Sequence, residues 1–217
     1  MSYINPVQAN YYSEWIYFTK NRKNRYEIIS TCVALIIILM MMKDFLLYIE
    51  SRPGVVIDDP ILNLIPPVNL TWLIFLLIYA GIAVGVILLK PIQLVFAMQL
   101  YVLVVVTRMA AMYLVPLEPP VQMILLRDPF VEFFGDGRAL TRDLFFSGHT
   151  ATLFVLFLAS EGRWIKVAFL LLTTIVAIAL LMQHVHYTID VFVALIATYA
   201  DYGLLKSMKG ARHDTAP

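Results

Sequence analysis

The sequence predicts an all-α, polytopic membrane protein built on six transmembrane helices, and three observations predict it. Of the 217 residues, 61% are hydrophobic and only 14% are charged, where a soluble domain runs near half and a quarter. The apolar residues are gathered into long runs, close to the ~20 residues a helix needs to cross hydrocarbon. The charges fall between the runs, and the basic ones concentrate at alternate junctions. The spans should be helical, because lipid holds no water to satisfy open backbone groups.

The elements follow in order. The first span runs from about Glu27 to Tyr48, with Lys43 and Asp44 near its far end. The second, Leu70 to Leu89, is ended by Lys90-Pro91, and the third, Ile92 to Val115, is stopped by Pro116. The fourth, Leu144 to Ser160, and the fifth, Trp164 to Met182, are short; the sixth runs from Tyr187 to Leu205. Residues 1–26 form a cytosolic or interfacial segment. There Tyr11, Tyr12, Trp15, Ile16 and Phe18 sit beside Lys20, Arg22, Lys23 and Arg25, the pattern of an interfacial helix. No cleavable signal peptide is visible. Residues 27–205 form the transmembrane domain, and 206–217 read as a short, disordered tail.

With six spans, both termini share a side with the 2–3 and 4–5 loops. That side carries Lys20, Arg22, Lys23, Arg25, Lys90, Arg163, Lys166, Lys206, Lys209 and Arg212; the other carries Arg52, Arg127, Arg138 and Arg142. Lys43 and Arg108 lie within spans. The excess places both termini in the cytosol. A net charge of +1 excludes a nucleic-acid binder that works by bulk positive charge. The composition excludes a disordered chain and an ordinary soluble enzyme. Cys32 is the one cysteine, so there is no internal disulfide framework and no cysteine-based zinc site.

Two non-cytosolic segments remain. Residues 50–69 contain Asp58-Asp59-Pro60 and Pro66-Pro67. Residues 116–143 are longer and rich in charge, Pro and Gly, and a loop of that length is more often functional than idle. Both non-tail histidine clusters face the same side. His149 opens the fourth span in Ser147-Gly148-His149, and His184 and His186 open the sixth. This puts the candidate site at the non-cytosolic face.

His186 and Asp190 are four residues apart, about 6 Å along a helix on one face. The carboxylate can fix the tautomer of the ring and free the other nitrogen as base or nucleophile. Taken alone, this spacing more often makes a structural hydrogen bond. Ser147 and Gly148 open a helix whose free N–H groups can seat a phosphate, and His149 is placed to protonate a leaving oxygen. The same residues also read as an ordinary helix cap with a wet interfacial histidine. Arg108, within the third span, and Arg142 are the candidate phosphate cations; Arg127 and Arg138 are weaker ones. The His184-x-His186 pair lacks the further ligands zinc would need, so neither metal nor cofactor is expected. An aromatic cage with carboxylates for a cationic group is sought in Phe130, Phe133 and Phe134 with Glu132 and Asp136.

Two segments carry a family resemblance. They are Asp143-Leu-Phe-Phe-Ser147-Gly148-His149-Thr150 and His186-Tyr187-Thr188-Ile189-Asp190-Val191-Phe-Val-Ala194. Softer likenesses lie in Arg108-Met109 through Tyr113, Leu114, Pro116 and Pro119, and in Asp59-Pro60-Ile61-Leu62 with Pro66-Pro67. Over about residues 50–205 the chain resembles the sphingomyelin synthase-like branch of the type 2 phosphatidic acid phosphatase superfamily. The resemblance implies a nucleophilic His186 oriented by Asp190, with His149 as the acid for the leaving group.

Hydrolytic relatives carry Ser-Arg at the positions of Ala179 and Leu180, which argues against a simple phosphatase. By elimination Arg108, Arg142 and His184 are left to hold the phosphate, with Ser147 and Gly148 at the helix start completing the set. The headgroup set becomes Asp143, Glu132, Asp136 and Phe133.

The implied activity is transfer of a phosphocholine or phosphoethanolamine headgroup from a glycerophospholipid to a lipid alcohol such as ceramide. A lipid phosphate phosphatase or phospholipase C-like hydrolase using the same histidines stays open, as does a non-catalytic lipid-binding protein. The partners implied are the donor and acceptor lipids, and a homo-oligomer is compatible with the sequence. The host membrane is open between a bacterial inner membrane and a eukaryotic Golgi, endoplasmic reticulum or plasma membrane.

Overall fold

The computed structural model describes residues 6–126 and 140–214. Among these the chain is helical, with no named strand, as expected of an all-α polytopic membrane protein. The helices are α1 (Pro6–Lys20), α2 (Arg22–Ser51), α3 (Thr71–Leu88), α4 (Pro91–Leu114), α5 (Gly148–Ala159), α6 (Arg163–Met182) and α7 (Thr188–Asp214), with a 3₁₀ turn at Leu62–Leu64. α2, α3, α4, α6 and α7 are long and apolar enough to cross a membrane.

α5 differs from the expected full span. It has 12 residues, about 18 Å of helix against ~30 Å of hydrocarbon. Its position explains how it can be short. It packs on α3, α4, α6 and α7 and buries Thr150, Ala151, Leu153, Val155, Leu156, Leu158 and Ala159. A helix sheathed by its neighbours need not match the bilayer, and irregular backbone at its ends is tolerated where protein covers it.

The chain still passes alternately between the two ends of the bundle. At one end Lys209 Nζ of α7 meets Glu27 Oε1 of α2 at 2.7 Å, and Gln99 of α4 donates to Glu27 and Thr31 at 3.0 Å each. At the other, Leu70 N–H donates to Gln183 Oε1 at 2.9 Å and Thr141 N–H to Glu50 Oε2 at 2.9 Å. α2 begins at Arg22, before the expected Glu27, because Asn21 caps it there by accepting from Lys23 N–H. α7 runs on to Asp214 where a disordered tail was expected after Leu205. The Lys209 bonds to α2 hold that extension in the fold, and Lys209 also lies 5.5 Å from the Phe96 ring.

Close packing at the centre depends on small residues. A Cβ at Gly81 of α3 would lie 2.6 Å from Leu172 and 2.8 Å from Leu153 side-chain carbons. Gly85, one turn on, faces Leu156. This small-x-x-x-small face lets α3 approach α5 and α6.

The site end is roofed by loops. Val55 N–H donates to Pro116 O at 3.1 Å and Glu118 N–H to Val55 O at 3.0 Å, a single parallel bridge. Gly54 permits it: a Cβ there would stand 2.5 Å from the Leu117 carbonyl carbon. Asp59 ties this roof to α7, accepting from Thr188 N–H at 2.6 Å and Thr188 hydroxyl at 3.1 Å. Burial alone would raise the Asp59 carboxyl. The Thr188 donors and the N–H groups of Leu62 and Ile61 outweigh that and hold it below its ordinary value.

Two outcomes follow for stability. Gly54→Ala should cost about 1–3 kcal/mol by overpacking, read as a lowered unfolding temperature in micelles. Gly203→Ala, with open space around its Cβ position, should cost nothing, and equal losses in both would refute the role of the bridge. A depressed native carboxylate stabilises above its unfolded pKa of about 3.9 and loses this as pH falls through the native value. Asp59→Asn should therefore destabilise at pH 7, with the deficit shrinking below about pH 4. A deficit that is flat with pH would contradict the assignment.

Candidate active site

The site begins at the first turn of α7. Asp190 lies in that turn, and its Oδ2 accepts from Tyr187 N–H at 2.9 Å. This fills one of the helix-start donors that have no partner within the helix. The same oxygen is 3.4 Å from His186 Nδ1, with side-chain exposures of 5% for His186 and 0% for Asp190. The expected i, i+4 pair therefore exists, dry and aimed by the helix start.

The second histidine segment is fastened to the first through backbone. Ser147 N–H donates to Asp190 O at 3.2 Å. Ser147 caps α5, its Oγ accepting from Thr150 N–H at 3.4 Å and lying 3.0 Å from Thr150 Oγ1. The Ser147 hydroxyl is thus engaged in the cap, and the residue is fully buried. His149 follows in the first turn of α5 and packs edge-on against Phe75 of α3, centroids 6.0 Å apart.

Arg108 of α4 completes the arrangement. Its Nε donates to Phe146 O at 2.6 Å, and Nη2 meets Asp143 Oδ1 at 2.6 Å. A Cβ on Gly148 would lie 3.1 Å from the guanidinium carbon. Gly148 is therefore the residue that lets a fixed cation press against the opening turn of α5. Asp143, expected among the headgroup ligands, is instead the anion that anchors Arg108.

Two further residues of the expected phosphate set have protein partners. Arg142 Nε meets Glu118 Oε2 at 3.0 Å, and its Nη1 donates to Glu50 O. The Glu50 carboxylate also accepts from Thr141 N–H, Thr141 hydroxyl and Arg142 N–H. The bond from Arg142, with help from Gly54 N–H, holds the Glu118 carboxyl low, and Glu118 in turn pushes the Arg142 guanidinium up. The Arg142 guanidinium is thus engaged by the Glu118 carboxylate and the Glu50 carbonyl. His184, at φ +57°, places Nε2 at 2.9 Å from Ile65 O. It lines a cavity of about 490 Å³ with Asp58, Asp59, Asn63, Gln122 and Tyr187. Phe130, Glu132, Phe133, Phe134 and Asp136, with Arg127 and Arg138, lie outside the described residues.

Sequence reasoning missed the anchoring carboxylates Glu50, Asp59 and Glu118. It also missed Tyr187, whose hydroxyl donates to Glu118 O at 3.0 Å and accepts from Ile57 N–H at 3.2 Å. The Tyr187 signal was present, since a tyrosine inside a chemistry-bearing segment needs a hydrogen-bond partner when buried. The three carboxylates act across 24 to 129 residues of chain, a pairing no local pattern announces.

The arrangement offers a dry imidazole with one nitrogen fixed by a carboxylate, a second histidine at a helix N-terminus, and a buried guanidinium against that helix's opening turn. It can bind and transfer a phosphoryl ester. Among the described residues no group of three or more His, Cys, Asp or Glu side chains is placed to hold a metal ion. In comparison with known proteins, no curated protein matches the chain. Residues 142–207 match the family described as PAP2 superfamily C-terminal. The matched stretch contains His149, His186 and Asp190 and leaves out Arg108. This match supports the type 2 phosphatidic acid phosphatase superfamily, and with it a lipid enzyme of phosphatase or phosphotransferase type.

Proposed function

We propose that the protein is an integral membrane phosphotransferase that moves a phosphocholine or phosphoethanolamine headgroup from a glycerophospholipid to a lipid alcohol such as ceramide. The observation that carries this reading is the dry His186–Asp190 pair bonded through Ser147 to the helix start that Arg108 braces. With Nδ1 held by Asp190, the His186 Nε2 lone pair attacks phosphorus and the P–O bond to diacylglycerol breaks. His149 gives its proton to the departing oxygen. The phosphohistidine then receives the acceptor hydroxyl, whose proton returns to His149, and the P–N bond breaks as the new ester forms. Arg108 and the N–H groups opening α5 stabilise the charge that develops on the phosphoryl oxygens.

Transfer is favoured over hydrolysis by two features. Where hydrolytic relatives carry Ser-Arg, Ala179 and Leu180 are packed in an apolar cluster, 3% and 0% exposed, so no cation stands there. The near-complete burial of His186 and Asp190 also disfavours water as the acceptor at the nucleophile. The positive-inside excess supports a reading in which this end lies on the non-cytosolic side and both termini are cytosolic.

The test offers phosphatidylcholine, phosphatidylethanolamine and phosphatidate to purified protein in mixed micelles, with and without ceramide, read by lipid mass spectrometry. A phosphosphingolipid that needs ceramide and vanishes in His186→Ala is expected, with an equal amount of diacylglycerol. Diacylglycerol released equally without ceramide would replace this reading with a hydrolase. Arg108→Lys keeps the charge but loses the two-pronged fit to Phe146 and Asp143. It should lower kcat by about 10²–10³-fold, and a variant that folds with full kcat would remove Arg108 from the site.

A further inference from the structure

Eleven residues beyond Asp190, α7 carries a second buried carboxylate, Asp201, 6% exposed. Eleven residues are close to three turns, so it shares the face of Asp190 about 16.5 Å further along the helix. Its Oδ1 is 3.0 Å from Thr107 Oγ1 on α4. Its Oδ2 is buried with no hydrogen-bond partner, and the same is true of Thr198 Oγ1, three residues earlier. Residues three apart on a helix are neighbours, with Cβ atoms about 5–6 Å apart. Two orphaned oxygens therefore stand side by side without reaching each other.

No described cation answers this carboxylate. Arg108 is committed to Asp143 and Phe146 O, Lys209 is paired with Glu27, and Lys206 lies over the Tyr202 ring at 5.3 Å. A bare carboxylate inside a bundle at this depth is costly. A proton would neutralise it but would leave Thr198 Oγ1 without a partner. A small cation between the two orphaned oxygens meets both. The donors are all oxygen, which suits a hard ion. One carboxylate balances one charge, and a divalent ion would leave an uncompensated charge in the interior.

We propose that Asp201, Thr198 and Thr107 form a buried monovalent-cation site of the sodium class between α4 and α7, with water completing its shell. An ion there would pin α4 to α7 one residue from Arg108. The site is independent of the headgroup chemistry above.

The test is thermal unfolding of the full chain in micelles, with NaCl replacing N-methyl-D-glucamine chloride at constant ionic strength. A saturable rise in Tm of several degrees is expected from binding to the native state. It should be absent in Asp201→Asn and weakened in Thr198→Val, which keeps the side-chain volume and so covers the case where the first variant does not fold. A Tm blind to sodium overturns the proposal, as does a full sodium response in either variant. A Tm that follows pH and ignores sodium overturns it in favour of a proton on Asp201.

Discussion

A guanidinium buried at the end of a membrane helix must find close acceptors, and Arg108 finds the carboxylate of Asp143 and the carbonyl of Phe146. Both acceptors lie in the extended segment that delivers the chain into α5. The geometry of the candidate site depends on this bracing. Phe146 also shares an apolar cluster with Leu100 and Val104 of α4, but without the bracing no polar tie described would fix the non-helical residues 143–147 against that helix. The Ser147 N–H would then lose its defined approach to Asp190 O. Gly148 serves the same interaction from the other side, since any side chain would press on the guanidinium carbon. Substrate phosphate would thus meet a cation already oriented by the protein, and electrostatic stabilisation is strongest when no reorganisation is needed.

A second constraint comes from α5 being short. Its roughly 18 Å cannot join the two faces of a bilayer, so the opening turn with His149 lies where the other helices are still packed around it. Residues 140–147, the described part of the irregular chain before it, lead down to it, and the backbone groups of Thr141, Arg142, Phe146 and Ser147 are met by Glu50, Arg108 and Asp190. The depth of the site and the pairing of its charges are one problem. Each polar contact in the descent is what permits non-helical backbone in that place.

The parts of this arrangement that local chemistry dictates were legible beforehand. The i, i+4 spacing of His186 and Asp190 required a shared face, and the structure has it. Ser147-Gly148 announced a helix start, and α5 begins at Gly148. Arg108, read as a cation held inside a span, is buried and paired. Illegible were the choices among distant partners. Arg142 and Arg108 look alike as sequence, yet one faces Glu118 and Glu50 and the other braces the α5 turn. The difference lies in Glu118 and Glu50 reaching the same corner from two other segments. The partner of His184 was equally hidden: the turn after α6 takes φ +57° there and brings Nε2 to 2.9 Å from Ile65 O. The reach of α7 past Leu205 was hidden because polar residues say where a helix leaves the lipid and not where it ends.

The seal around His186 bears on how a transferase of this kind would work. At 5% exposure the ring cannot meet a lipid ester without some movement of what covers it. The described roof is tied by a single β-bridge and by side-chain bonds from Asp59, Glu118 and Tyr187, while the His186–Asp190 pair and the Arg108 brace belong to the bundle. Loops held by few bonds open at lower free energy than packed helices. Substrate access is therefore expected to cost roof contacts and to leave the charged constellation intact. On the transfer reading proposed above, an acceptor lipid arriving from the bilayer would have the advantage over bulk water.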